Sequence, residues 1–102
     1  VLFWTDHIKQ YRADKYFGHG PVLTEACARA LVEQKVKMIG LDSYSPDEQP
    51  WSVHKILLGA GVLILENLIN LDQLVGKDFT VYAFPPKMKT HGAPVRVGAE
   101  II

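Results

Sequence analysis

The stretch Trp51–Glu66, WSVHKILLGAGVLILE, decides how this chain is read. Trp51 to Ala60 has the pattern of a helix, Gly59 and Gly61 punctuate its end, and Val62 to Leu65 are four consecutive aliphatic residues of the kind a buried strand shows. A helix running straight into a strand is half of an α/β crossover. Glu66 is then the oddest residue in the sequence, a carboxylate directly after Val-Leu-Ile-Leu, where its charge is costly unless paired, hydrogen-bonded or bound to a metal. The same stretch offers it a partner. His54 lies about 9 Å back from the helix end at 1.5 Å per residue, and Glu66 about 13 Å along the strand. If helix and strand run antiparallel, the two return to a similar level and share a ligand. Alternatively, His54 caps the first helical turn and Glu66 is held by backbone donors. From these two residues alone both readings stay open.

Working outward, Val1 to Thr5 is a short apolar, β-branched run, and Asp6 to Gly20 reads as an irregular loop with one helical turn. Thr24 is a good N-cap for a helix that runs to about Gln34, with Glu25 in its first turn and Ala26, Cys27, Ala30 and Leu31 at helical spacing. Val36 to Leu41 is a strand, and Asp42 to Pro50 has the composition of an exposed loop. Asn67 to Gly76 reads as a turn with a short helical segment. Phe79 to Phe84 and Pro94 to Ile102 read as a final strand pair. The order is α/β with at least one crossover. In open sheets of this kind ligands favour the carboxyl ends of strands, here Thr5 to His7, Asp42 to Ser45, and Glu66 to Asn67.

The composition narrows the function. A length of 102 residues fits one compact domain or a piece of a larger one, and 48% hydrophobic with 22% charged residues is ordinary for a globular chain. Eleven basic residues balance eleven acidic ones, so no summed field attracts a polyanion, and nucleic acid is a poor partner. The apolar run from Ile56 to Leu65 is ten residues, short of the roughly 18 a membrane-spanning helix needs. Cys27 is the only cysteine, so no intrachain disulfide forms, which fits a reducing cytoplasm. Opening on the strand-like Val-Leu-Phe-Trp suggests a processed or truncated chain. Its small size leads us to expect oligomerisation or a missing N-terminal half.

Among the remaining polar residues, His7 directly after the first strand and Trp51 beside His54 are candidates for contact with a substrate. His19 and His91 sit in loops where a solvated imidazole is the default. Asp42, Ser43, Ser45 and Asp47 read as turn and cap residues. Cys27 reads as an inert thiol on a helix face. Tyr44, Tyr82 and Phe84 read as core or interface aromatics. Gly18, Gly20, Gly59 and Gly61 lack the spacing of a phosphate-binding fingerprint.

Four blocks together resemble a known family: Gly40-Leu-Asp-Ser-Tyr-Ser-Pro-Asp47, His54-Lys-Ile-Leu-Leu-Gly-Ala-Gly-Val62, Leu65-Glu-Asn-Leu-Ile-Asn-Leu71 and Pro94-Val-Arg96. In order and spacing they are similar to the C-terminal half of the cyclase family of metal-dependent hydrolases, which includes bacterial kynurenine formamidase and isatin hydrolase. The resemblance implies a swivelling β/β/α barrel-like domain of which this chain is the C-terminal part, assembled as a dimer or tetramer. It implies one or two divalent cations, zinc or manganese, with His54 and Glu66 as two of the ligands. It also implies hydrolysis of the C–N bond of an N-formyl aryl amide or cyclic amide by metal-bound hydroxide. The family's His-x-Gly-Thr-His-x-Asp-x-Pro signature, which supplies the other ligands, is not in this sequence. Those ligands are therefore expected upstream in the gene product or on a companion chain. No catalytic base is assigned. The competing expectation is a truncated, catalytically inactive relative serving as an oligomeric scaffold or partner-binding module.

Overall fold

A computed structural model describes residues 1–102. The pattern of aliphatic runs separated by capped helices yields β1 (Leu2–Phe3), α1 (Glu25–Glu33), β2 (Met38–Leu41), α2 (Ser52–Gly59) and β3 (Leu63–Leu65), with a 3-10 turn at His7–Gln10. These lie in one compact unit, Val1–Leu71. Its sheet has the order β1-β2-β3, all parallel, with Leu2 opposite Gly40 and Ile39 opposite Ile64. α1 and α2 are the crossovers. This is the α/β pattern the sequence implies, in its simplest open form.

Both helices begin and end for local reasons. The Thr24 hydroxyl accepts the Cys27 N–H at 3.0 Å, capping α1 as expected. At the end of α2 the N–H of Gly61 donates to the Leu58 carbonyl at 3.0 Å and that of Val62 to the Leu57 carbonyl at 2.9 Å. That is a Schellman motif, and it needs the left-handed backbone of Gly61, φ 79°. α1 ends in the same way through Lys35 and Val36, but there the left-handed residue is a lysine, φ 57°.

The core lies between the helices and one face of the sheet. Ala28, Ile39, Val53, Leu57 and Val62 are buried, with Phe3, Leu31, Ile56 and Ile64 packed against them. Along α1 the buried stripe is Ala28 with half-buried Cys27, Leu31 and Val32, whereas Ala26 and Ala30 face solvent. On the opposite face Gly40 lies under the Leu2 and Leu68 side chains, where a Cβ would stand 2.7 and 2.6 Å from their methyl carbons.

The segment from Asp42 to Asp47 corrects a sequence expectation. Its composition suggests an exposed loop, yet Asp42, Ser43, Ser45 and Asp47 are all buried. The reason is that its two carboxylates are spent on backbone and side-chain donors, which offsets their burial, whereas the buried Ser43 hydroxyl has no hydrogen-bond partner. Asp42 accepts the Thr5 N–H at 2.9 Å, the Thr5 hydroxyl at 2.6 Å and the Asp6 N–H at 2.7 Å, tying the loop after β2 to the loop after β1.

The second unit, Asp72–Ile102, is a two-stranded antiparallel ribbon of β4 (Phe79–Phe84) and β5 (Arg96–Ile101), with Tyr82 opposite Gly98. The strand pair is as expected from the sequence. Tyr82 and Phe84, read there as core or interface aromatics, are exposed and stack on each other at 6.3 Å. No helix in the chain is long and apolar enough to cross a membrane.

Candidate functional site

The carboxyl ends of β1, β2 and β3 open at one edge of the sheet, and the loops that follow them are bonded together there. The Asn67 N–H donates to the Ser43 carbonyl at 2.8 Å and the Leu68 N–H to the Leu41 carbonyl at 3.1 Å, closing the β3 loop onto the β2 loop. Beside these loops is an open cleft of about 500 Å³ lined by Tyr44, Ser45, Trp51, His54 and Glu66.

His54 stands in the first turn of α2 and Glu66 one residue past β3, and the tight Gly61 turn brings them face to face. His54 Nε2 is 3.6 Å from Glu66 Oε1. The other imidazole nitrogen is engaged: His54 Nδ1–H donates to Asp47 Oδ1 at 2.5 Å. The second Asp47 oxygen accepts the Val53 N–H at 2.8 Å and so caps α2 from the preceding loop. Asp47 is itself held by its own turn, in which the Ser45 hydroxyl donates to the Asp47 carbonyl at 2.6 Å.

This arrangement fixes a tautomer. A carboxylate can only accept, so the Asp47 contact places the imidazole proton on Nδ1 and leaves the Nε2 lone pair facing Glu66. Two acceptors then confront one another across 3.6 Å, outside hydrogen-bond range, a geometry that a cation between them would stabilise. Two donors on one tetrahedral zinc, each about 2.0–2.1 Å away, stand roughly 3.3 Å apart. The pair therefore fits half of a coordination shell for a divalent ion. No group of three or more histidine, cysteine, aspartate or glutamate side chains is placed to hold a metal by itself. Partial burial raises the Glu66 carboxyl above its ordinary range, opposed by the neighbouring His54.

The backbone around the pair is costly. Trp51, three residues before His54, and Asn67, directly after Glu66, both adopt the left-handed conformation, φ 66° and 57°. The strain is that of Trp51, on the order of 1–2 kcal/mol for a bulky residue, whereas asparagine adopts this region more readily, and such outliers gather where function fixes geometry. Trp51 stands edge-on to the His54 ring at 5.6 Å and forms one wall of the cleft.

The sequence-derived candidates separate into two groups. His54, Glu66 and Trp51 come together at the cleft, and His7 does not. The His7 ring stacks on Tyr16 at 4.9 Å, its Nε2 is 2.8 Å from the Tyr16 carbonyl, and it is not among the residues lining the cleft. His19 and His91 are exposed in loops. Two residues gain weight from the geometry. Asp47 reads in sequence as a cap, and it is one, but it also orients His54; its only trace is an aspartate shortly ahead of a helix that carries a histidine in its first turn. Tyr16 sits in a polar loop with no periodic signal, yet it is fully buried, donates its hydroxyl to the Asn67 side chain, and has that hydroxyl pushed up to about 12, chiefly by burial.

Residues 1–48 match the model of a family described as "Putative cyclase". Among solved structures, one described as a potential metal-dependent hydrolase with cyclase activity superposes with a TM-score of 0.77 at 30% sequence identity. The match covers 95% of this chain and 48% of that one, so the present chain spans about half the length of its structural relative. No curated protein matches the sequence.

Proposed function

We propose that this chain is the C-terminal portion of a metal-dependent hydrolase of the cyclase family, in whose barrel-like domain it supplies two of the metal ligands, His54 and Glu66. The observation that carries the reading is the Asp47–His54–Glu66 alignment: one imidazole nitrogen is anchored by a buried carboxylate, and the other faces a second carboxylate across 3.6 Å. Structural support comes from the relative described as metal-dependent, and family support from the match over residues 1–48. The remaining ligands lie outside this chain.

A divalent cation, zinc or manganese, supplies Lewis acidity toward a substrate carbonyl and acidifies water when bound. The residues of this chain prepare the site for it. Asp47 keeps the proton on Nδ1 of His54, which makes Nε2 a permanent donor to a metal. Glu66 contributes an anionic oxygen. Trp51 and Tyr44 shield one side of the cleft from water and give a flat substrate an aromatic wall. The reaction is hydrolysis of an amide C–N bond in a small carbonyl compound, such as an N-formyl aryl amide or a cyclic amide.

Zinc and manganese titrations followed by NMR test the reading. The expected result is a shift of the His54 ring resonances that disappears in Glu66→Gln, with hydrolysis of an N-formyl aryl amide once the missing ligands are supplied by the longer protein. A His54 ring that ignores both metals in the longer protein, where the other ligands are present, would overturn the assignment.

A further inference from the structure

The two proposed ligands are held in different ways. His54 is gripped through its side chain by Asp47, whereas the Glu66 carboxylate is paired only with the facing imidazole and accepts from no other donor. Its aim is therefore set by the backbone that carries it. β3 ends at Leu65, and the chain leaves the sheet through Glu66 and the left-handed Asn67, φ 57°. This turn is tied on two sides. The Asn67 N–H donates to the Ser43 carbonyl at 2.8 Å, and the Asn67 side-chain oxygen accepts the Tyr16 hydroxyl.

Tyr16 reaches this turn across 51 residues of sequence, from the irregular loop after β1, and it is itself fixed. It is fully buried, the His7 ring stacks on it at 4.9 Å, and His7 Nε2–H donates to its carbonyl at 2.8 Å. Its ring also meets Tyr44, one wall of the cleft, at 5.6 Å and nearly edge-on. The loop closes tightly over these groups, since a Cβ on Gly20 would stand 2.7 Å from both Ser43 Oγ and the Tyr44 ring. A residue that only filled this space would need the ring alone, and a phenylalanine would serve without a hydroxyl to satisfy. Here the hydroxyl is spent on the residue next to the carboxylate. We propose that Tyr16 is a positioning residue of the metal site: through Asn67 it holds the turn that aims Glu66, as Asp47 aims His54. The proposal rests on the reading of His54 and Glu66 as ligands. His7 then serves the site from behind, by holding Tyr16, and not from within the cleft.

The test is the zinc affinity of the longer protein, where the other ligands are present, read by competition with a chromophoric chelator and with His54→Ala as the reference. Tyr16→Phe keeps the ring and loses the hydroxyl. Asn67→Gly keeps the left-handed turn without steric cost and loses the side chain. Each is expected to weaken zinc binding by about tenfold, as loss of a partner behind a ligand does. The double variant is expected to bind no more weakly than either single one, because both remove the same tie, a coupling that independent losses of packing do not produce. Affinity unchanged in Tyr16→Phe while His54→Ala loses zinc would overturn the proposal alone, and so would losses that multiply in the double variant. Zinc binding indifferent to His54→Ala would overturn the ligand reading and this proposal with it. Urea melts show which variants are folded; if Tyr16→Phe is not, Asn67→Gly at its exposed position decides, and wild-type affinity there would overturn the proposal.

Discussion

Asp47 grips His54 by two routes at once: one carboxylate oxygen accepts the imidazole Nδ1–H at 2.5 Å and the other accepts the Val53 N–H at the start of the same helix. The helix end and the side chain it carries are therefore positioned by a single group that is itself buried.

Replacing this group should separate stability from metal affinity. Asp47→Ala removes both contacts and is expected to cost about 1–2 kcal/mol through the lost cap. Asp47→Asn keeps an oxygen for Val53 but turns its NH₂ toward His54, which moves the imidazole proton to Nε2 and points it into the cleft. A metal affinity lower by about 10–100-fold is expected, with little change in the denaturation midpoint. Calorimetric zinc titration beside urea unfolding checks both outcomes, and an unchanged affinity in Asp47→Asn would contradict the tautomer argument.

Glu66 should behave in the opposite sense. Its carboxyl is raised in the fold by partial burial, so the neutral form is the one the metal-free fold prefers. That preference is fully satisfied below the ordinary carboxyl range near 4.5 and is lost as pH rises through the folded value. Glu66→Gln removes the loss. The metal-free variant is expected to melt above the wild type at pH 7, with the difference shrinking toward pH 4. Equal melting temperatures at both pH values would count against it.

Tyr16 predicts an alkaline limit. Its hydroxyl titrates at about 12 in the fold against 10.0 ordinarily. Below pH 10 both states keep the proton and stability is unaffected; above it the unfolded chain releases the proton first. Stability should fall by about 2–3 kcal/mol between pH 10 and 12. Tyr16→Phe, though weaker at neutral pH through loss of the bond to Asn67, should show a smaller decline across that window in urea melts.

Lys35 offers a simple stabilisation. It occupies the left-handed position that ends α1, where Gly61 ends α2. Lys35→Gly relieves the clash of a Cβ in that region, and a gain of about 1 kcal/mol is expected. Ala30→Gly, at an exposed position inside α1, should instead destabilise by a similar amount.

Much of this molecule is visible in its sequence because periodic features have periodic causes. Thr24 as a cap, Gly61 as a helix stop and the aliphatic run at 62–65 give the crossover, and counting rises along helix and strand brings His54 and Glu66 level. What escapes is the polar interior. Asp42 and Asp47 are buried because they satisfy backbone N–H groups of distant or irregular segments, and such pairing leaves no repeat to detect. Tyr16 is buried from within a polar loop for the same reason. The left-handed backbone at Lys35 and Trp51 is invisible because local preference argues against it at both positions.

The Schellman turn at Gly61 has a consequence for the order of folding. It joins His54 to Glu66 through a loop of only twelve residues, whereas the Thr5–Asp42 contact spans 37. Short closures lose less chain entropy and form sooner. The α2–β3 hairpin should therefore acquire its final geometry before the sheet is complete, with the two proposed ligands already paired as the N-terminal strand arrives. Pulse-labelled amide exchange during refolding should show Leu57 and Val62 protected ahead of Thr5 and Asp6.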